Sequence, residues 1–371
     1  MTDQDRAAQS LESLRAAIDE VDGELLQLFN RRAAIAQQVA EVKLAAAPDV
    51  DPEQVQYYRA EREAQVLRRV MAENPGPLPE TSVALLFREL MSACLALERT
   101  LEVAFLGPEG TFTEAAVLKH FGHAVRSRPL ATIGEVFQQV EAGQVDYGVV
   151  PVENSTEGMV SHTLDSFLGS PLKICGEVEL KIELQLLARG KPSPGQIQRI
   201  VAHQQALAQC RHWLDRHWPG VPREPVSSNG EGARRAAEEP GTAAVAGRMA
   251  AERYGLTALA EDIQDYPDNA TRFLVIGQES VPPSGRDKTS LVVSTHNRPG
   301  ALFELLEPFH RQGISLTRID TRPSRTQAWA YVFFIEFEGH QDDEVTRDIL
   351  EQLKERSMLL KPLGSYPQAV L

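Results

Sequence analysis

Three basic side chains on the predicted first helix could hold an anionic ligand. Arg32 and Lys43 are 11 residues apart, about three helical turns, so they share a face and lie about 16 Å apart along the axis. Two long side chains can close that gap around one small anion. Arg15 lies 28 residues before Lys43, which places it about 42 Å away and about 80° off that face. Arg15 can therefore reach such a site only from an antiparallel helix of a second chain.

Polar clusters stand beside predicted strands in the middle of the chain, where they could bind carboxylates. Residues 105–113 read as a strand, a glycine turn and a helix start, whose backbone N–H groups suit an anion. Residues 150–158 follow one predicted strand, and residues 268–273 lead into another. Each cluster alone is typical of turns, and the first lacks the GxGxxG spacing of a dinucleotide loop. Together, at strand ends, they predict a ligand cleft of an open α/β fold.

The elements that must position these residues divide the chain into three predicted domains. Apolar residues at steps of three and four predict a first helix of about 34 residues, and helices near 59–73 and 81–99 complete an all-α domain over residues 1–100. Residues 102–278 alternate strands and helices, which predicts an α/β domain with a mostly parallel sheet. Residues 289–367 follow a βαββαβ order, the ferredoxin-like α+β layout. A first helix about 50 Å long exceeds a compact monomeric domain of 100 residues and implies a partner chain.

Composition excludes several classes of protein. The chain has 371 residues, a net charge of −14 and 42% hydrophobic residues, values that are ordinary for a soluble globular protein. The acidic balance disfavours nucleic acid as a partner. An acidic amino terminus and the lack of a run of about 18 apolar residues predict a cytoplasmic protein without a membrane span. Three widely spaced cysteines and nine histidines without a ligand pattern predict reduced thiols, no metal and no cofactor.

The first domain resembles the chorismate mutase family. The resemblance is carried by residues 14–22, Arg32, residues 42–43 and residues 62–63. In that family an intertwined helical dimer holds chorismate. The resemblance implies that Arg15 of the partner chain and Arg32 clamp the substrate carboxylates. It also implies that Lys43 donates to the breaking ether oxygen.

Further mutase residues follow from the same resemblance. Arg62 and Glu63 match an Arg-Glu pair whose glutamate accepts from the substrate hydroxyl. Arg59 falls where one branch has aspartate, and it could simply pair with Glu63 at i,i+4. Cys94 and Glu98 share a helix face, at positions where that branch has serine and glutamine. The expected catalytic residues of this domain are Lys43, Glu63 and Glu98.

The protonation of Glu98 matters for this chemistry. The rearrangement is pericyclic, so catalysis is mostly positioning and stabilisation of charge on the ether oxygen. An ionised Glu98 would repel that oxygen, whereas a protonated one could donate to it. Burial beside a dianion raises the pKa of a carboxyl group, so mutase activity is expected to fall as pH rises through the pKa of Glu98.

The second domain resembles prephenate dehydratase. The motifs GPEGTF, PVENS and TRF occur in that family's order, with further matches at residues 201–203 and 227–229. The resemblance implies two α/β lobes that close over prephenate, and an essential threonine, Thr271. Thr271 would donate a hydrogen bond to the departing hydroxyl oxygen as the ring becomes aromatic. The expected substrate-binding residues are Asn154, Ser155, Thr156, Thr271, Arg272 and Phe273. His203 is equally compatible with a structural role.

The third domain resembles an ACT domain with two phenylalanine-binding motifs. Pro299 fits the first turn of a helix, and Gly300 permits close approach of a ligand or a neighbouring chain. The second motif usually reads Glu-Ser-Arg-Pro, and here it is Asp-Thr-Arg-Pro. Such domains pair edge to edge and bind the amino acid at the interface, which implies inhibition by phenylalanine; a plain dimerisation domain is the alternative. The expected effector-binding residues are Asn297, Pro299, Gly300, Ala301, Leu302, Asp320, Thr321, Arg322 and Pro323.

In sequence, the three resemblances imply a bifunctional enzyme that converts chorismate through prephenate to phenylpyruvate and responds to L-phenylalanine. The expected partners are these small molecules and further copies of the chain, as a homodimer or a higher oligomer. Two alternatives stay open. One is a dehydratase whose mutase domain has lapsed, and the other is a non-catalytic amino-acid sensor.

Overall fold

The first domain is helical, and its long first helix is largely unburied within one chain. The computed structural model describes residues 3–46, 56–295, 298–323 and 331–371. The helices of this domain are α1 (Asp3–Ala46), α2 (Ala60–Ala72) and α3 (Glu80–Glu98). Apolar side chains along α1 lie in solvent, with Leu14 61% and Ile18 58% exposed, and Ala40 is the one buried residue among residues 10–46. An apolar stripe of this length needs a partner surface.

The second domain consists of two lobes built from strands and helices. Its strands are β1 (Glu102–Leu106), β2 (Arg126–Leu130), β3 (Tyr147–Asn154), β4 (Gly158–Met159), β5 (Lys173–Lys181), β6 (Gln185–Ala188), β7 (Arg199–His203), β8 (Arg223–Val226), β9 (Thr242–Ala246), β10 (Thr257–Ala260) and β11 (Ala270–Gly277). Its helices are α4 (Phe112–Phe121), α5 (Ile133–Glu141), α6 (Ser161–Gly169), α7 (Gln204–Gln209), α8 (Arg211–His217), α9 (Asn229–Glu238) and α10 (Arg248–Tyr254).

Both lobes contain mixed sheets. The first sheet has the order β2-β1-β3-β11-β5 with β4 beside β3, and the second has the order β10-β6-β9-β7-β8. Strands β1, β2 and β3 are parallel, but β11 runs antiparallel to both β3 and β5. The expectation of a mostly parallel sheet is wrong. The chain leaves the first lobe after β5 and re-enters it as β11, which runs in the opposite direction between β3 and β5.

Strand β11 separates two hydrophobic cores because its side chains alternate between the two faces of the sheet. Phe273 and Val275 pack with Phe105 against α4. Leu274 and Ile276 pack on the other face, with α5, α6 and part of the third domain. Successive side chains of β11 therefore pack into two different hydrophobic cores.

The third domain has the predicted βαββαβ order. Its elements are β12 (Asp287–Ser294), α11 (Ala301–Gln312), β13 (Leu316–Pro323), β14 (Tyr331–Glu338), α12 (Glu344–Arg356) and β15 (Leu359–Pro367). The sheet is antiparallel in the order β13-β14-β12-β15, so β13 lies at an edge. Leu305 and Ile349 of the helices cover one face, while Val292 and Phe334 on the other face pack against the first lobe.

Two further features bear on the expectations from sequence. Cys94, Cys175 and Cys210 are buried and free of disulfides. Across the residues described here, no helix combines the length and apolar character needed to cross a membrane.

Candidate functional site

Lys43 and Glu98 form the centre of the candidate mutase site, where the end of α1 meets the end of α3. Lys43 Nζ donates to the Tyr57 carbonyl oxygen at 2.9 Å and lies 3.8 Å from Glu98 Oε2. The Glu98 side chain is 9% exposed, and within the described residues its Oε2 accepts no hydrogen bond. Buried polar atoms of native proteins nearly always have a partner. This oxygen is therefore free to interact with a ligand.

Arg32, a third predicted residue, affects the pKa of Glu98 in this pair. Burial raises the pKa of Glu98 above its usual value, although Lys43 and then Arg32 act to lower it. Burial likewise lowers the pKa of Lys43, against the attraction of Glu98. Arg32 and Lys43 thus both act on Glu98 within one chain. Cys94, one turn before Glu98 on α3, is buried.

Arg15 is not part of this cluster in a single chain. Helix α1 is continuous from Asp3 to Ala46, so Arg15 lies about 42 Å from Lys43 along the axis. The Arg15 side chain is exposed, among the exposed apolar residues of α1. Its position agrees with the geometric expectation that only a second chain could bring it to Lys43.

Helix α2 arranges its charged residues differently from the expectation. Arg59 Nε donates to Glu61 Oε1 at 2.6 Å, so the predicted i,i+4 pair of Arg59 with Glu63 is wrong. Glu63 lies 3.2 Å from Arg88 Nε of α3, and burial raises its pKa to about 7 although Arg88 acts to lower it. Residues two apart on a helix are about 200° apart around the axis, so Glu61 and Glu63 face opposite ways. Within one chain Glu63 is away from Lys43, and Arg62 is exposed.

The candidate dehydratase site is centred on a hydrogen-bonded pair, Thr271 of β11 and Asn154 of β3. The two residues are register partners. Asn154 Oδ1 accepts from the backbone N–H groups of Thr156 at 3.0 Å and Glu157 at 3.1 Å, which fixes the orientation of the amide. Asn154 Nδ2 then donates to Thr271 Oγ1 at 2.8 Å. Since this oxygen accepts from Asn154, the threonine hydroxyl keeps its own proton to donate.

The second lobe reaches this pair through Gln209 of α7, which the sequence analysis missed. Gln209 Nε2 donates to Thr156 Oγ1 at 3.2 Å, and Gln209 Oε1 accepts from Asn269 Nδ2 at 3.0 Å. Asn269 Oδ1 in turn accepts from Asn154 at 3.0 Å. One signal for it was present in the sequence, namely that α7 directly follows residues 201–203, one of the matching segments. These polar side chains line the place where the two lobes meet.

Other predicted residues of the cleft support the backbone. Ser155 Oγ accepts from the Ala270 N–H at 3.0 Å and donates to the Asp268 carbonyl oxygen at 3.3 Å. His203 caps α7, accepting from the Gln205 N–H at 3.3 Å, which is the structural one of its two expected roles. The glycine turn at residues 107–111 packs against the second lobe, where Tyr254 donates to the Glu109 carbonyl oxygen at 3.1 Å.

Arg272 and Phe273 differ from the expectation that both bind substrate. The Phe273 side chain belongs to the hydrophobic core under α4, with a residue exposure of 2%. Arg272 points to the opposite face of the sheet from Thr271, where its Nη1 lies 2.6 Å from Glu336 Oε2 of the third domain. Side chains along β11 alternate between the two faces of the sheet, and the buried carboxylates attract the guanidinium group. Together these two effects account for the placement of Arg272.

The two predicted effector motifs lie at the same end of the ACT sheet. Ser294, the last residue of β12, and Arg322 of β13 both pair with Val332 of β14, so they are two strand spacings, about 10 Å, apart. Gly300 has a φ of 82° before α11, where Pro299 and Leu302 are exposed and Ala301 is buried. The predicted Asn297 lies outside the described residues.

The second effector motif contacts the dehydratase domain of the same chain. Arg322 Nε and Nη2 donate to the two carboxylate oxygens of Asp165 in α6 at 3.0 and 2.9 Å, and Nη1 donates to Ser161 Oγ at 2.9 Å. Burial raises the pKa of Asp320, with Arg318 opposing it. Thr321 and Pro323 are exposed. For the residues with a described placement, no cluster of three or more His, Cys, Asp or Glu could hold a metal ion.

Three family models match the chain in order. Chorismate mutase type II matches residues 14–99, prephenate dehydratase residues 103–281, and the ACT domain residues 289–355. The chain is 56% identical to the bifunctional chorismate mutase/prephenate dehydratase of Stutzerimonas stutzeri, over 98% of this chain and 99% of that protein. It is also 56% identical to the protein of that name from Pseudomonas aeruginosa, over 100% of both.

A solved structure resembles about three quarters of this chain. It is the prephenate dehydratase of Arthrobacter aurescens in complex with L-Phe, 38% identical, with a TM-score of 0.67 over 72% of this chain and 90% of that chain. These relatives are enzymes, which argues against the alternative of a non-catalytic sensor. With a helical mutase domain, a two-lobed α/β domain and an ACT domain in this order, the chain belongs to the family of bifunctional chorismate mutase/prephenate dehydratases.

Proposed function

We propose that this enzyme rearranges chorismate to prephenate in its first domain, converts prephenate to phenylpyruvate in its second, and is inhibited by L-phenylalanine through its third. The observation that carries the proposal is the Asn154–Thr271 hydrogen bond at the meeting of the lobes, in a chain that matches bifunctional relatives over its whole length. The predicted domain boundaries at 1–100, 102–278 and 289–367 are consistent with one reaction in each of the first two domains and inhibition through the third.

The mutase site works by charge and position. In the rearrangement one C–O bond breaks and one C–C bond forms without a covalent intermediate, so the protein mainly stabilises charge on the ether oxygen. Lys43 and a protonated Glu98 donate to that oxygen, and Arg32 holds a carboxylate. Arg15 of a second chain completes the site when two α1 helices pack antiparallel. Arg59, Arg62 and Cys94 border the site, and Glu63 would have to leave Arg88 to accept from the substrate hydroxyl.

The dehydratase site helps a hydroxide to leave. Loss of CO2 from prephenate sends the electrons of the C–C bond into the ring, and the ring C–O bond breaks as the ring becomes aromatic. The departing hydroxide takes up a proton and leaves as water. Thr271 donates a hydrogen bond to that oxygen, held in place by Asn154. Ser155 and Thr156 stand at the cleft, where a substrate carboxylate would replace the hydrogen bond from Gln209 to Thr156.

The third domain provides the effector site. Within the part of the chain that the structure describes, strand β13 is an unpaired sheet edge, and such edges accept a further strand. Pairing of two β13 edges would place the motif at Pro299–Leu302 of one chain near Asp320–Pro323 of the other. The relative that was solved with L-Phe supports phenylalanine as the ligand.

Replacing Thr271 by Ala should abolish the second reaction and spare the first. Loss of one positioned donor lowers a rate by about 100-fold or more, so phenylpyruvate formation should fall at least that far. Chorismate consumption should stay within about twofold of the parent, because the mutase site lies in another domain. The variant Thr271→Ser keeps the hydroxyl and should retain most activity. Undiminished phenylpyruvate formation by Thr271→Ala would contradict the role of this hydroxyl.

Mutase activity should fall as pH rises through the pKa of Glu98. The protonated carboxyl donates and the ionised one repels, and burial raises the pKa of this group, so the loss occurs above the ordinary range of a glutamate. Glu98→Gln keeps a donor at every pH and should flatten the fall of kcat/KM. Dehydratase activity, measured on prephenate in the same samples, controls for unfolding. If the profile of the Glu98→Gln variant falls as steeply as the parent's, Glu98 is excluded as the titrating group.

Arg15→Ala and Lys43→Ala should each lose mutase activity alone and recover it when the two chains are co-expressed. A mixed dimer has one intact site of two, and random pairing makes half of all dimers mixed, so about a quarter of parental activity is expected. Equal dehydratase activity in all samples would show proper folding. Absence of recovery, with each single variant inactive, would place Arg15 outside the partner's site. A parental protein without mutase activity would favour the lapsed mutase domain.

A further inference from the structure

The residue after Thr271 and the residue before Asn154 point away from this hydrogen-bonded pair. Arg272 follows Thr271 on β11, Glu153 precedes Asn154 on β3, and the two are register partners. Neighbouring side chains of a strand project to opposite faces. Thr271 and Asn154 therefore face the cleft, while Arg272 and Glu153 face the sheet of the ACT domain that packs behind it.

Arg272 is held in a buried group of charges shared between the two domains. Its Nη1 lies 2.6 Å from Glu336 Oε2 of β14 and 3.1 Å from Glu177 Oε2 of β5. Lys288 Nζ of β12 lies 2.9 Å from Glu177 Oε1 and 3.6 Å from Glu336 Oε1. The side chains of Glu177 and Glu336 are 5% and 7% exposed. Buried charges of this kind keep their geometry, because an unpaired one is costly.

Both sets of contacts behind the cleft lead to β13 of the ACT domain, one through a hydrogen bond to Glu336 and the other through an ion pair. Glu336, which holds Arg272, accepts a hydrogen bond from Thr317 Oγ1 of β13 at 2.8 Å. Glu153 forms an ion pair with Arg318, the next residue of β13. Strand β13 continues into residues 320–323, the second effector motif. Strand β13 thus carries the effector motif at one end. At its other end it contacts Glu336 and Glu153, which lie behind Thr271 and Asn154.

We propose that Arg272 and Glu153 are positioning residues for the dehydratase reaction, and that β13 sets the alignment of Thr271 with Asn154 through them. Ligand binding at the effector motif displaces Thr317 and Arg318, and the displacement reaches the catalytic hydroxyl through Glu336–Arg272 and Arg318–Glu153. The proposal deepens the proposed inhibition by L-phenylalanine and rests on it. It assigns the route of that inhibition to two ionic links within one chain.

The variant Arg318→Gln tests the route without touching the cleft. The full-length protein should keep its dehydratase kcat/KM without effector within about threefold, since Glu153 retains Arg272 at 3.9 Å. Equilibrium dialysis with radiolabelled L-phenylalanine should give an unchanged affinity. The concentration of L-phenylalanine that halves dehydratase activity should rise at least about tenfold, within the usual range of coupling between sites.

The matched control is Arg356→Gln, which removes an ion pair of 2.9 Å with Glu307 inside the ACT domain. It should leave both the affinity for L-phenylalanine and the inhibition unchanged.

If Arg318→Gln fails to fold, Thr317→Val removes the hydrogen bond to Glu336 with little change of shape and should also raise the inhibitory concentration of L-phenylalanine. A parental enzyme that L-phenylalanine does not inhibit would refute the proposed regulation itself. Parental inhibition together with unchanged inhibition of Arg318→Gln, or loss of L-phenylalanine binding in that variant, would overturn the route alone.

Discussion

The arrangement of this enzyme depends on a buried ionic contact between Arg272 and Glu336. The contact joins the strand that carries Thr271 to the middle of the ACT sheet. Removing one partner of a buried pair costs about 3–5 kcal/mol because the other charge stays unpaired. Burial alone would raise the pKa of Glu336, yet Arg272 and Lys288 bring that pKa down to about 2. The ACT sheet is therefore joined by an ion pair to the first-lobe sheet through a wide range of pH.

The mutase domain is attached to the rest of the chain through Arg68 of α2 and through Tyr58, which precedes that helix. Arg68 donates to Ser284 Oγ at 3.0 Å and to the Arg286 and Gln368 carbonyl oxygens at 2.9 and 3.2 Å. Tyr58 and His120 lie 3.1 Å apart, from hydroxyl oxygen to Nε2, in the same interface. These contacts leave the apolar stripe of α1 free, as an intertwined dimer requires. The contacts of Arg68 and Tyr58 also leave Lys43 near the end of α1 with Glu98 as its neighbour, so positive charge is local even in an acidic chain.

Much of the fold could be predicted from the sequence, because helix periodicity and strand clusters are local properties. The long first helix, the polar ends of β3 and β11, and the βαββαβ order of the ACT domain belong to this class. The side-chain partners could not be predicted in the same way. Local spacing pairs Arg59 with Glu63, but Arg88 from another helix gives Glu63 a buried partner. Similarly, the TRF motif shows three adjacent residues, whereas only their strand neighbours reveal that Arg272 faces another domain.

The features of the cleft that could not be predicted from the sequence have the same origin. The direction of β11 depends on the chain returning from the second lobe, which no local pattern of residues encodes. Gln209 reaches Thr156 and Asn269 only because two lobes meet, so its helix alone does not identify it. Resemblance to known families identified Thr271, and the contacts of its neighbours then distinguished the residues that face the cleft from those that face the ACT domain.

Hydrogen exchange of the full-length enzyme, with and without L-phenylalanine, tests the central claim most directly. If β13 acts on Thr271 and Asn154 through Arg272 and Glu153, the effector should change amide exchange in β13 and also in β3 and β11 around Asn154 and Thr271. The change in β3 and β11 should be smaller in Arg318→Gln than in the parent, because that variant keeps only the link through Glu336. A change confined to the ACT domain of the parent, in protein whose dehydratase is inhibited, would contradict the account.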